Sequence, residues 1–190
     1  MNEKINNSLL WNAAGKTGLV FGLFSGACLT LKQLLAIHWD SVTGVAIAGI
    51  VLWAVEFFGC IWMMAFFMKK LCRDYAGVTS LDTYRYGRRI ALLSALIFAA
   101  INLLLMLTVA KELTETALEE ALAQYGSMLD ANSREALDNL RGNLPALTFF
   151  SQFIYCWLYG TVLSSILSRT IPKPGMSDVP AEDEPWTEPE

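Results

Sequence analysis

Glu56 is the residue whose chemistry most needs explaining, because it sits inside Val42 to Met68, a run otherwise without charge. An ionised carboxylate in hydrocarbon costs roughly 2.5–3.5 kcal/mol on insertion scales, so such a residue is kept for a partner or a task. At 1.5 Å per helical residue Glu56 lies about 18 Å from Met68, and Asn102 lies the same distance from Ile90. Counting back equally from Ser168 reaches Cys156, with Tyr155 and Tyr159 within a turn. Glu56, Asn102, Tyr155 and Tyr159 are therefore the candidate intramembrane polar site. Two roles are open to it: a proton- or ion-loading carboxyl, or a structural hydrogen bond from Glu56 to Asn102 or a tyrosine hydroxyl. The structural role is the preferred expectation, since broken helices, repeats and further intramembrane acids, the usual companions of transport, are not evident.

A second group of side chains is cationic. Lys69, Lys70, Arg73, Arg85, Arg88 and Arg89 fall between two apolar runs and offer contacts to anionic lipid headgroups, although such residues are also what sets membrane orientation. Cys28, Cys60, Cys72 and Cys156 form no Cys-x-x-Cys pair, and His38 is the only histidine, so no disulfide, metal site or cofactor is expected. No zinc-protease, phosphate-loop or nucleophilic-triad pattern is present, and an enzyme is not expected.

These residues are positioned by four apolar segments. The 190-residue chain is 54% hydrophobic and 17% charged, against about 25% charged in ordinary soluble domains. Its net charge of −4 carries no nucleic-acid footprint. Residues 90–110 form the cleanest span, residues 42–68 a longer one, and residues 146–168 a third that follows Pro145, a residue suited to the first helical position. The first run is fifteen uncharged residues from Thr17 to Leu31. It extends to about 11–37 if Lys16 and Lys32 snorkel to the surfaces. Ser25-Gly26-Ala27-Cys28 offers a lipoprotein-like cleavage box as the alternative, but retention of the first helix is expected. The expected fold is all-α: a four-helix transmembrane bundle over residues 1–171.

Lipid is as apolar as leucine, so close packing of small residues must hold such helices together. Gly18, Gly22 and Gly26 recur every four residues on the first span; Gln152, Cys156, Gly160, Ser164 and Ser168 do so on the fourth. Ala91, Ala95 and Ala99 mark the third, and Gly44, Ala48 and Cys60 the second. Packing within the chain is expected for the glycine stripe, with a homo-oligomer seam as the alternative.

Residues 111–144 hold seven acids and three bases and read as a polar helical hairpin outside the membrane. Leu118, Leu122, Tyr125 and Leu129 form an apolar stripe opposite Glu112, Glu115 and Glu119, with Gly126 as a break. A second short helix is expected from Asn132 to Leu140, stopped by Gly142. Residues 172–190 hold six acids and, after Pro172, four more of the chain's six prolines, and are expected to be a disordered cytoplasmic tail. With the cationic segment inside, four crossings leave ten of the fourteen Lys and Arg on the cytoplasmic side, termini included.

The segment Lys69-Lys70-Leu71-Cys72-Arg73-Asp74-Tyr75-Ala76-Gly77, followed by Tyr84 and Gly87 at the entry of the third span, resembles a four-span integral membrane family of Bacteroidota known only as domain of unknown function 4199. The likeness covers about residues 9–173, and Leu81 stands where the family usually has an aromatic. It implies an inner-membrane location and no activity. Arg73 and Asp74 are expected to form an interfacial ion pair. The leading functional expectation is a non-enzymatic accessory or assembly protein that contacts lipid, a membrane-protein partner or its own copy. A small proton- or ion-linked transporter using Glu56 is the alternative, and a lipid-handling factor using the cationic segment a third.

Overall fold

The computed structural model describes residues 7–39, 41–75, 77–109 and 131–171, with isolated positions at 116, 119, 120, 123 and 124. Among the described residues four long helices carry the chain: α1 Asn7–His38, α2 Val42–Asp74, α3 Ser80–Thr108 and α4 Ala131–Thr170. No strand occurs among the described residues, so the fold is an all-α bundle. All four helices are long and apolar enough to cross a membrane, and the chain is a multi-pass membrane protein.

The ends of the helices follow local chemistry. The Ser41 hydroxyl accepts the backbone N–H of Gly44 and caps α2. After α2 the chain turns at Gly77, whose φ of +74° is a left-handed conformation that favours a residue without a Cβ. Thr79 then opens α3 with a reciprocal capping box: its hydroxyl accepts the Asp82 N–H, and its own N–H donates to the Asp82 carboxylate.

The helices are longer than the spans expected from hydropathy. At 33 and 29 residues, α2 and α3 are about 50 and 44 Å long, against about 30 Å of hydrocarbon. Their cation-rich ends project past the apolar layer as helix. What reads in sequence as a basic loop from Lys69 to Arg89 is thus the last turns of α2, a short turn and the first turns of α3. A second correction concerns α4, which runs unbroken from Ala131 through Gly142 and Pro145. Gly142 does not stop a helix and Pro145 does not start one. Proline removes only one intrahelical N–H, and helix on both sides carries the backbone across that gap. The stripe Leu118, Leu122, Tyr125 and Leu129, its acidic opposite face and the tail 172–190 lie outside the described residues or are touched only at isolated positions.

α3 packs closely along α1 on one side and α4 on the other, while α2 leans on α1 and meets α3 and α4 more sparsely. The register is legible in the glycines. A Cβ at Gly18, Gly22 or Gly26 would run into Leu93, Ile97 or Ile101 respectively. That constant offset makes α1 and α3 parallel neighbours, with three side chains of α3 seated in three glycine notches. On the other face of α3, Ala91 meets Gly160 and Gly87 meets Ser164; the constant sum of the paired numbers makes α3 and α4 antiparallel.

Burial is uneven along the bundle axis. The proximal end holds the start of α1, the α2–α3 turn and the end of α4; the distal end lies opposite. Leu10, Ala14, Met64, Met68, Leu71, Ile90 and Ile171 are buried together at the proximal end and midway up. Toward the distal end no described position of α2 before Cys60, or of α4 between Gly142 and Leu163, is buried. The bundle is packed at one end and splayed at the other.

Candidate functional site

The splay leaves a cavity of about 360 Å³ to which all four helices contribute. Its proximal floor is set by Met64 and Ile90, and its walls carry Ser25, Lys32, Glu56, Gln152, Tyr155 and Tyr159. Glu56 stands on α2 one turn before Cys60, and its Oε2 accepts a hydrogen bond from Lys32 Nζ at 2.5 Å. The two side chains are 25% and 19% exposed, Lys32 and Glu56 respectively. The pair therefore sits within the bundle rather than on a wetted surface.

Lys32 is the residue that sequence reasoning missed, since a lysine at the end of a span is expected to snorkel outward. The signal was in the direction of the side chains. In a helix each Cα–Cβ bond tilts toward the N-terminus. α1 starts at the proximal end and α2 at the distal end, so Lys32 leans down toward the bundle centre and Glu56 leans up. Lys32 is about 9 Å below the distal end of α1 and Glu56 about 21 Å below the start of α2, at 1.5 Å per residue. The opposed tilts and the long lysine stem close that axial gap. Equal counting from the helix ends instead pairs Glu56 with Asn102. The structure does not bring those two together: Asn102 is half-buried and does not line the cavity.

Aromatic rings form the thin wall between α2 and α4. Trp53 stacks on Phe57 with ring centroids 5.5 Å apart, and Phe57 meets Tyr159 at 6.0 Å. Trp53 and Tyr155 line the cavity yet are 59% and 69% exposed, so the wall at this seam is one ring thick. The Tyr159 hydroxyl is buried, and among the described residues it has no hydrogen-bond partner. Trp157 Nε1 and Thr161 Oγ1 on the same helix are likewise buried without a partner among the described residues, while several neighbouring polar groups are satisfied locally. Gln152 Nε2 donates to Cys156 Sγ at 3.5 Å, Ser25 and Cys60 lie 3.6 Å apart, and Ser164 donates to the Gly160 carbonyl at 2.6 Å. The four cysteines are free thiols. Among the described residues no three His, Cys, Asp or Glu side chains gather as a metal site would need.

The six cations expected to meet headgroups divide. Lys69, Lys70, Arg73, Arg85 and Arg88 are exposed at the proximal end. Arg89 instead clamps α3 to α1: Nη2 donates to Asn7 Oδ1 at 2.5 Å, and the guanidinium lies 4.7 Å from the centre of the Trp11 ring. Arg73 Nε lies 3.7 Å from Asp74 Oδ1, with both side chains largely in solvent, a contact of little energetic consequence. Close by, Thr17 Oγ1 and Tyr86 Oη lie 2.9 Å apart in the core and tie α1 to α3. No family model, curated protein or solved structure matches the chain.

Proposed function

We infer that the protein is a non-enzymatic, multi-pass protein of the bacterial inner membrane and that it works as a small ion-linked carrier through the Lys32–Glu56 site. The observation that carries this reading is the ion pair itself, set on the wall of a cavity that is packed shut at the proximal end and thinly walled toward the distal end. A midplane site closed toward one face and loosely walled toward the other fits one state of an alternating-access cycle. A pair that served only to join α1 and α2 would not need to face a cavity, and exchanging it for apolar side chains would leave the bundle as stable or more so. The proximal surplus of Lys and Arg supports a cytoplasmic position for that end and for both termini. The resemblance to the four-span family supports the same location. Reconstitution into liposomes tests the reading: proton or ion flux present in the wild type and lost in Glu56→Gln supports it, and flux identical to empty vesicles refutes it.

The accessory reading is favoured by a different observation. Among the described positions, α2 before Cys60 and α4 between Gly142 and Leu163 expose Trp53, Phe58 and Phe150 and bury none, leaving a seam where a partner span or a second copy could lie. A stoichiometric partner retained in mild detergent supports it. The exposed proximal cations in turn favour anionic headgroups, which copurification of anionic lipid tests.

A further inference from the structure

We propose that the cavity is a seat for an organic cation with an apolar body, and that the Lys32 ammonium is a tethered competitor occupying that seat. The inference rests on the carrier reading only for the identity of the site, and it names the guest.

The two halves of the ion pair differ in what they can do when a guest arrives. Glu56 is anchored mid-helix on a two-carbon stem and cannot swing out to either interface, so whatever enters must leave a cation against it. Lys32 has a four-carbon stem and lies six residues from the distal end of α1, so its ammonium can swing away from the carboxylate toward the distal interface when displaced. A lysine is suited to this exchange in a way an arginine is not, because its point charge is not locked by a planar fork. An anionic guest has the opposite problem: it takes Lys32 and strands Glu56 without a cation.

The rest of the lining agrees in sign. Trp53, Phe57, Tyr155 and Tyr159 line the cavity, and the faces of aromatic rings attract cations and repel anions. The remaining wall is largely aliphatic and suits an apolar body. The volume of about 360 Å³ falls among cavities that bind small molecules. Entry is lateral, through the ring-thick seam between α2 and α4, which fits a guest already dissolved in the bilayer.

The test is calorimetric titration of the full-length protein in detergent with tetraphenylphosphonium. The expected result is saturable one-to-one binding. Lys32→Met tightens it about tenfold if the ammonium holds the carboxylate nine-tenths of the time; Glu56→Gln weakens it at least tenfold, and Lys32→Met/Glu56→Gln, with neither charge left unpaired, binds no better than Glu56→Gln. Tyr159→Leu weakens binding several-fold. Weaker binding in Lys32→Met, an unchanged Kd in Glu56→Gln, or no saturable binding in either the wild type or Lys32→Met would overturn the proposal. Binding with these signs but no liposome flux removes the carrier reading and leaves the cation seat standing. Glu56-dependent flux that tetraphenylphosphonium neither inhibits nor shares does the reverse.

Discussion

Gly22→Ala measures how tightly α1 and α3 are joined. An added Cβ would lie 2.7 Å from Ile97 Cβ, 2.9 Å from its Cγ2 and 3.2 Å from the Ser94 carbonyl oxygen. The first and last of these are fixed to the α3 backbone and cannot swing aside. The methyl therefore forces the two helices apart, an overpacking that costs about 1–3 kcal/mol. Against it stands the gain of roughly 0.5–1 kcal/mol that alanine brings to a helix interior. Gly15, seven residues earlier on the same helix, has nothing within 4 Å of its would-be Cβ, so Gly15→Ala shows the gain alone. The difference between the two variants isolates the clash at about 1–3 kcal/mol. In a protein of this size it corresponds to a melting temperature roughly 2–10 °C lower for Gly22→Ala than for Gly15→Ala. Thermal unfolding followed by circular dichroism, on protein shown to be monomeric in detergent, reads it directly. Equal melting temperatures would refute the close packing of the α1 glycines on Leu93, Ile97 and Ile101. Equal melting temperatures with loss of a crosslinked dimer in Gly22→Ala would show the stripe to be an oligomer seam.

Other outcomes follow from single contacts. Gly160→Ala sets a methyl 2.5 Å from Ala91 Cβ, so it should destabilise by about 1–3 kcal/mol, and Ala91→Gly on the facing helix should recover most of that loss; failure of the double variant to recover would displace the α3–α4 register. Tyr86→Phe removes the buried 2.9 Å contact with Thr17 and should cost about 0.6–1.7 kcal/mol, the range for interhelical hydrogen bonds in membranes. Thr17→Val/Tyr86→Phe should cost no more than the larger single change, and additive losses would mean the two hydroxyls do not depend on each other. A cysteine at Arg85 should be labelled by a membrane-impermeant thiol reagent only from the cytoplasmic side, in a background where the native cysteines are replaced; labelling from the periplasmic side of sealed vesicles would invert the topology.

The spans were legible because a run such as Ile90 to Val109 has almost no use outside lipid or a large core. The glycine repeat of α1 was legible as a place of close approach, since only glycine leaves such a notch. Its partner was not, because nothing in Gly18, Gly22 and Gly26 distinguishes Leu93, Ile97 and Ile101 on α3 from any other aliphatic ridge. The projecting ends of α2 and α3 were hidden by charge. Hydropathy marks where the membrane stops, not where the helix does, and Lys69 to Asp74 continue the helix past the apolar run. Pro145 and Gly142 mislead for the opposite reason: they are local breakers that read as boundaries, although tertiary context and flanking helix override them. The site itself was half visible. Glu56 announces itself by its cost, and Tyr155 and Tyr159 by their depth, but Lys32 was concealed by a rule that fits most span-end lysines. Three-dimensional direction, not sequence position, decides whether such a side chain turns out to the interface or in toward a carboxylate.

The decisive measurement is a double-mutant cycle on Lys32 and Glu56, with unfolding free energies taken in one detergent for the wild type, Lys32→Met, Glu56→Gln and the double variant. Breaking a fully buried pair from one side costs about 3–5 kcal/mol. With both side chains partly exposed, the expected coupling is about 1–3 kcal/mol, with the double variant more stable than the less stable single one. Losses that simply add, with a coupling indistinguishable from zero, would mean that Lys32 and Glu56 do not meet and that the cavity has no charged pair on its wall.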